Sequence, residues 1–248
     1  NFVYRYYPII MHIKELISKG ELGTIYSIHG TYLQDWLLFN HDYDWRVESR
    51  YGGPSRALAD IGSHWIDIAE FLLDRRLESI AADFATFIPK RIRFPSETIT
   101  VDTEDFASAL MRFEGGIHGC LTVSQVSAGR SNGISFEIDG STASLRWSQE
   151  HSERASLKYR EEKELILDEK GIISPANEME ENKEAKAGAS RQERFLEVQQ
   201  RMIDNFYRSI LFSEPPLYAD FLQGHHIVQI IEAAIESNQK ARWVDIDL

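Results

Sequence analysis

The sequence predicts an α+β fold: a large, mostly antiparallel β-sheet with helices on one face. Three observations support this. Apolar residues recur at helical spacing at both ends of the chain, they alternate with period two in the middle, and short glycine turns join the alternating segments. Of the 248 residues, 43% are hydrophobic and 27% charged, which is typical of a globular protein. We therefore predict one domain over residues 1–248.

The first part of the chain alternates helical and extended patterns. Pro8–Lys19 is amphipathic, opens with a proline and is followed by Gly20, so it predicts a helix. Gly23–Leu33 alternates as a strand does. Gln34–Gly53 has the composition of a loop rich in aromatic and charged residues. Pro54–Leu73 predicts a second helix with an apolar stripe.

The middle of the chain has strand character. We place strands at Ser79–Ile88, Asp105–Phe113, Ile117–Val126, Gly133–Ile138 and Ser144–Trp147, with two more short ones within 151–167. Glu114–Gly116 and Asp139–Gly140 have the composition of hairpin turns. Short turns between consecutive strands predict antiparallel pairing.

The last part of the chain is helical after a polar segment. Asp168–Arg194 is charged and poor in large apolar residues, which predicts a mobile loop, 168–194. Helices are predicted at Phe195–Phe212 and Ala219–Ala241, and a strand at Trp243–Leu248. The sheet face that the helices leave uncovered predicts a homo-oligomer formed through the sheet.

The composition excludes several classes of protein. Lysine and arginine number 27 and aspartate and glutamate 39, so the net charge of −12 opposes binding to nucleic acid. One cysteine, Cys120, excludes a scaffold built on internal disulfides. No apolar run reaches the roughly 20 residues of a membrane span, and the first residues lack the pattern of a signal peptide. We therefore predict a cytoplasmic protein that binds neither membranes nor nucleic acid.

A cluster of polar side chains lies on the second predicted helix. Asp60, His64 and Asp67 are spaced by four and three residues, which puts them on one side of a helix. A carboxylate one turn from a histidine can orient the ring for proton transfer. Three interpretations stay open: a structural trio, an acid–base or substrate site, and a metal site completed by His41 or Asp44.

A second cluster combines flat aromatic rings with polar groups. Such a set can stack on a sugar ring and bond its hydroxyls, or it can simply pin a loop by its own aromatics. Its members are Tyr32, Gln34, Asp35, Trp36, His41, Asp42, Tyr43, Asp44, Trp45 and Arg46. Neither a Gly-x-Gly-x-x-Gly dinucleotide fingerprint nor a phosphate-binding P-loop occurs in the chain.

Several short motifs, taken together and in this order, resemble one family. They are Tyr4–Pro8, Gly20–Gly23, Tyr32–Trp36, Trp45–Arg46, Gly53–Asp67, Glu214–Pro215, Ala219–Asp220 and Glu232–Ala234. The chain thereby resembles the C-terminal domain of the Gfo/Idh/MocA oxidoreductases, the glucose–fructose oxidoreductase and inositol dehydrogenase family. The resemblance runs over nearly the whole chain.

The resemblance implies an NAD(P)-dependent oxidoreductase that acts on a hydroxyl or carbonyl of a sugar, cyclitol or related compound. It implies that His64 is the acid–base residue, that Asp60 positions the substrate or tunes the proton transfer, and that Asp67 is structural. The positions that it implies for the lining of the substrate pocket are Tyr4, Gln34, Trp36 and Arg46.

The chain departs from the family's pattern in one respect. In the family, the cofactor fingerprint and a Glu-Lys-Pro lysine belong to an N-terminal Rossmann domain, upstream of the segment that matches Asn1. The expectation is therefore NAD or NADP in the full-length protein, no cofactor or metal bound to this chain, and no activity of this chain alone. Two alternatives remain: a stand-alone carbohydrate-binding or scaffold module, and a metal-dependent sugar isomerase or lyase.

Overall fold

A computed structural model describes residues 2–176 and 190–246. The helices are α1 (Pro8–Ser18), α2 (Ser49–Gly52), α3 (Ser63–Leu73), α4 (Arg191–Phe212) and α5 (Phe221–Lys240). The strands are β1 (Ile25–Leu33), β2 (Leu77–Ala85), β3 (Lys90–Arg93), β4 (Glu97–Thr100), β5 (Phe106–Phe113), β6 (Ile117–Ser124), β7 (Gly133–Gly140), β8 (Ala143–Ser148), β9 (Arg154–Tyr159), β10 (Leu165–Asp168), β11 (Ile173–Pro175) and β12 (Val244–Asp245).

Within the described residues, ten strands are hydrogen-bonded in the order β11-β10-β9-β8-β7-β1-β6-β5-β2-β12, and β3 and β4 form a separate ribbon. The hairpin β5–β6 sets its register at the turn, where Phe113 lies opposite Ile117. The predicted turn at Glu114–Gly116 is confirmed: it is a 3-10 turn in which Gly115 and Gly116 have φ values of 79° and 77°. Such values favour glycine because it has no Cβ.

The sheet is mixed, which differs from the hairpin-built sheet that the turn signals predict. Just past the ends of β1 and β6, the Gln34 N–H donates to the Ser124 carbonyl at 2.8 Å, and the Gln34 carbonyl accepts from the Ser127 N–H at 2.8 Å. A residue that bonds on both sides of its opposite neighbour follows the slanted pattern of parallel strands. Turn signals reveal only pairs of consecutive strands, so they could not predict this pairing.

The chain divides into two compact units. The first consists of Asn1–Ser27, Ile68–Asp74 and Phe136–Gly224. Its core is aromatic: Trp147 is buried, with the Tyr7 ring edge-on at 5.7 Å and the Phe136 ring at 5.5 Å. Helix α1 places its buried isoleucines in the same unit, as the predicted amphipathic pattern requires.

The second unit consists of Ile28–Asp67, Arg75–Ser135 and His225–Leu248. Trp65 is fully buried there, and its Nε1–H donates to the Ser135 carbonyl at 2.9 Å. A smaller apolar cluster packs Leu37 and Val47, from the aromatic loop that follows β1, together with Val101. All residues of the predicted site except Tyr4 belong to this unit.

The predicted turn at Asp139–Gly140 is wrong. Strand β7 runs through Gly140, and the bend falls at residues 141–142. A Cβ on Gly140 would lie 2.0 Å from the Leu22 carbonyl oxygen, so glycine is needed here because another backbone segment approaches closely. The sequence cannot distinguish this reason for a glycine from a turn.

Two segments differ from their predicted structure for local reasons. A β10–β11 hairpin occupies residues 165–175, where the predicted mobile loop 168–194 begins; the Asp168 carboxylate accepts the Lys170 and Ile172 N–H groups and closes its turn. Residues 177–189 of that loop lie outside the described residues. The β3–β4 ribbon was not predicted, because its four-residue strands have weak alternation.

None of the described helices is long and apolar enough to cross a lipid bilayer.

Candidate functional site

The helix that carries Asp60 and His64 begins with an irregular turn. Leu58–Gly62 is a π-helical turn, in which the Ser63 N–H bonds back to the Leu58 carbonyl, and α3 continues from Ser63. The sequence predicted a regular helix over this stretch, so the angle between Asp60 and His64 that a regular helix implies does not hold. Single π-turns within helices are frequent at functional sites.

A carboxylate from a distant segment caps this helix start. Glu104 is buried and accepts hydrogen bonds from the Ser55 hydroxyl at 2.7 Å, the Arg56 N–H at 2.9 Å and the Leu58 N–H at 2.9 Å. Negative charge near a helix N-terminus is favourable because the first N–H groups lack partners within the helix. Glu104 therefore fixes the start of the helix from which Asp60 projects.

Two buried arginines lie near the site, and one of them holds the loop that follows β1. Arg91 is fully buried and donates to the carbonyls of Leu37, Phe39 and Asp42 at 2.7–2.9 Å. Arg56 is also buried, and burial, followed by the charge of Arg91, lowers its pKa to about 10. The loop after β1 is thus held by a side chain at its centre, which restricts the positions available to the site residues on it.

Asp60 is held from two sides. Its Oδ2 accepts from Gln125 Nε2 at 2.8 Å, and its Oδ1 lies 3.5 Å from Arg46 Nε. Burial raises the pKa of Asp60, and the charge of Arg46 opposes that rise. Asp60 is therefore a carboxylate that gains a proton more readily than an exposed aspartate does.

Arg46 joins two carboxylates and an aromatic ring. It lies in a 3-10 turn, Trp45–Val47, that Asp44 caps by accepting the Arg46 N–H at 3.0 Å. The guanidinium lies 3.1 Å from Asp44 Oδ1 and 4.5 Å from the centre of the Trp45 ring. These contacts preorganise a cation beside Asp60, with a third of its side chain still exposed.

Gln34 and Trp36 are a second pair of predicted site residues that contact each other. The Gln34 amide donates to Asn132 Oδ1 at 2.7 Å and accepts from Trp36 Nε1–H at 2.7 Å. Trp36 is 39% exposed, so part of its side chain is accessible to a ligand. An exposed indole of fixed orientation can stack on a sugar ring.

His64 is half-buried and packs near an aromatic ring. Its imidazole centre lies 6.4 Å from that of Tyr32, which is itself buried. Burial lowers the pKa of His64 to about 4, so the ring is neutral at physiological pH. A neutral imidazole is in the state required to accept a proton.

Tyr4 lies in the first unit, where its ring is buried and stacks on Tyr7 with centres 6.0 Å apart. Its predicted place in the substrate pocket stays a prediction, as do the roles of the other site residues.

A metal site on the second helix finds no support in the geometry. Among residues 2–176 and 190–246, the ligand atoms of Asp60, His64 and Asp67 do not gather within 4.8 Å of one another, with or without His41 or Asp44. Asp67 is buried, with 2% of its surface exposed, and its structural role stays a prediction.

Sequence reasoning missed two residues that the structure places in contact with the predicted ones. Gln125 bonds Asp60, and Asn132 bonds Gln34. Both come from residues 125–132, between β6 and β7, far from the motifs in sequence. A polar residue directly after the apolar strand β6 is the only sequence signal of Gln125.

Comparisons with known proteins agree on the fold. The sequence profile described as the GFO/IDH/MocA C-terminal domain matches residues 10–146, more than half of the chain. Levoglucosan dehydrogenase from Pseudarthrobacter phenanthrenivorans is 28% identical over 99% of this chain. A solved structure of levoglucosan dehydrogenase in complex with NADH and levoglucosan is 27% identical, has a TM-score of 0.82 and covers 100% of this chain. An inositol dehydrogenase homolog from Azotobacter vinelandii, complexed with NAD+, is 24% identical with a TM-score of 0.76 and shares the fold.

The predicted fold class, a C-terminal domain alone, was wrong in its extent. The C-terminal profile ends at residue 146, whereas relatives match 99–100% of the chain, so the shared fold includes the mixed sheet through β12 and the helices α4 and α5. The segments after residue 146 belong to it because β8–β11 and β12 are hydrogen-bonded into the same sheet. The chain spans 65% of the length of levoglucosan dehydrogenase.

Proposed function

The chain belongs to the Gfo/Idh/MocA oxidoreductase family, and from this premise we propose that it serves the NAD-dependent oxidation or reduction of a hydroxyl–carbonyl pair on a sugar or cyclitol. One observation carries the proposal: a neutral, half-buried His64 follows, by four residues, a carboxylate that Arg46 and Gln125 hold in place. The relatives named for levoglucosan and inositol support the class of substrate.

The polar groups suit a polyol. Asp60 and Asp44 accept hydrogen bonds, Arg46 donates them, and Trp36 is a partly exposed aromatic side chain. Oxidation of a hydroxyl releases a proton, and a neutral imidazole can take it while the carboxylate and guanidinium hold the neighbouring hydroxyls. His64 is thus the proposed acid–base residue.

The residues of this chain do not fit the phosphates of NAD. The solved relatives hold NADH or NAD+, but no Gly-x-Gly-x-x-Gly turn occurs among the 248 residues, and α1 begins at Pro8 directly after Tyr7, without a glycine turn. The cofactors of the relatives therefore support the family's chemistry and do not establish an affinity of this chain for NAD. The roles that we propose for the residues of this chain are to bind the substrate hydroxyls and to accept the proton.

Replacing His64 tests the proposed proton transfer. In the protein as the cell makes it, assayed by NAD+ reduction with levoglucosan and inositol, H64A should lower the rate about 10²–10⁴-fold. Sugar affinity, measured by calorimetry, should change by less than about threefold, because hydroxyl contacts remain. A rate loss below threefold would show that His64 does not carry the proton.

Replacing Trp36 separates the binding site from general stability. W36A should weaken sugar binding about tenfold or more because a stacking surface is lost. Trp243, an exposed tryptophan with Arg112 over its ring at 4.1 Å, is the matched control, and W243A should bind as wild type does. Sugar binding without any NAD+ reduction would favour the alternative of a carbohydrate-binding module.

We also propose that copies of the protein associate through the outward face of the sheet. On β5 the side chains alternate between buried and outward positions, and the outward set includes Phe106 and Leu110, with Leu110 53% exposed. Apolar side chains on an open sheet face are a common basis of association.

A further inference from the structure

Gln125 is a fully buried glutamine whose backbone is fixed just beyond β6. Its N–H donates to the Asp105 carbonyl at 2.9 Å, and its carbonyl accepts from the Leu37 N–H at 3.3 Å. The side chain therefore has one defined place from which to reach Asp60.

The side-chain amide of Gln125 makes a hydrogen bond through only one of its two polar atoms. Nε2 donates to Asp60 Oδ2 at 2.8 Å, while Oε1 is buried and has no hydrogen-bond partner among residues 2–176 and 190–246. A buried acceptor without a partner is costly and rare. A half turn of the amide would break no bond other than the one to Asp60, so Asp60 alone decides which way the amide lies.

We propose that Gln125 is a positioning residue that holds Asp60 by a hydrogen bond in both of its protonation states. To the carboxylate it donates Nε2–H. When Asp60 takes up a proton on an oxygen, the amide turns by half a revolution and Oε1 accepts the new O–H. No bond to hydrogen within the amide breaks, and the only proton gained is the one on Asp60.

The groups around Asp60 make both states accessible. Arg46, 3.5 Å from Oδ1, and Arg56 favour the carboxylate, whereas burial and the charge of Asp44 favour the protonated acid. His64, four residues later, is neutral at physiological pH and adds no charge. The inference rests on the proposed function, in which Asp60 is the carboxylate that holds substrate hydroxyls beside the acid–base residue His64.

The test is the titration of Asp60 in the variant Q125M. The titration is monitored through the infrared band of the protonated Asp60 carboxyl, and the band is assigned by its absence in D60N. Since a partner is lost from both states, the pKa of Asp60 should change by less than about 0.5 pH unit, and the variant should be destabilised equally on both sides of the titration. If Gln125 served the carboxylate alone, the pKa would rise by about 1 unit or more and the destabilisation would be confined to high pH, which would overturn the proposal.

Two further measurements keep the test independent of folding and of turnover. Gln149 is another buried glutamine, and Q149M should leave the Asp60 titration unchanged. In the wild-type protein, the side-chain amide resonances of Gln125 should move with the titration of Asp60 and stop doing so in D60N; resonances that ignore Asp60 would overturn the proposal. Neither readout requires NAD or sugar, so failure of the proposed function leaves the result intact.

Discussion

His64 is a residue whose environment is visible in the pH dependence of folding. A histidine in an unfolded chain titrates near 6.5, whereas burial lowers the pKa of His64 to about 4 in the folded protein. Between these values the unfolded chain binds a proton that the folded chain does not. The contribution of His64 to stability is therefore complete above pH 6.5 and falls as the pH falls toward 4.

Replacing His64 by glutamine should remove this dependence. Relative to wild type, H64Q should lose less stability between pH 6.5 and pH 4, by on the order of 3 kcal/mol, in urea unfolding at several pH values. His118, on the exposed side of β6, is the control, and H118Q should follow the wild-type curve. Parallel curves for H64Q and wild type would mean that His64 is solvated.

The sequence could indicate candidate site residues by their chemical type, but not the partners of those residues. Asp60 and Arg46 were both predicted, and they lie 3.5 Å apart. Gln125 could not be predicted, because it lies 65 residues from Asp60 along the chain and only the folded structure brings the two together. A lone glutamine at a strand end carries no signal until that pairing is known.

At the scale of elements, patterns of apolar residues were sufficient where a segment has one face. Helix α1 was predicted over Pro8–Lys19 and occupies Pro8–Ser18, because its proline start and buried isoleucines are local properties. The π-turn at Leu58–Gly62 and the true role of Gly140 were not predictable, because each depends on contacts made by distant segments.

Alanine substitutions along β7 test whether close approach or turn geometry requires glycine. G140A should lower the free energy of unfolding by about 3 kcal/mol or more, because the new Cβ would meet the Leu22 carbonyl, a backbone group that cannot rotate away. G133A, on the same strand with open space around it, should change stability by less than about 0.5 kcal/mol. Equal effects in urea unfolding would contradict this explanation.

At the scale of the whole molecule, an exposed sheet face is the feature that most concerns assembly. Leu110 projects from β5 opposite Cys120 of β6, and both are exposed. If copies associate through this face, a charged side chain introduced at position 110 would be buried in the interface. It would lose its hydration there, at a high cost in free energy.

Light scattering during size-exclusion chromatography tests this association. Wild type should elute as an oligomer, and L110E should shift to a smaller species with unchanged helix and strand content. Leu222, on α5, is 77% exposed and serves as the control, so L222E should assemble as wild type does. A wild-type monomer at tens of micromolar would contradict the proposed assembly.

Because Glu104 caps the helix start, formation of the site depends on a contact between segments that are distant along the chain. Ala57, the residue before the π-turn, supplies no side-chain cap of its own, and the carboxylate that replaces it stands 48 residues further along the chain from Arg56. Closing a loop of that length costs entropy that a local cap would not require. A peptide cut from residues 55–73 therefore lacks the group that starts its helix. The placement of Asp60 and His64 in the folded protein therefore depends on a contact with the segment just before β5.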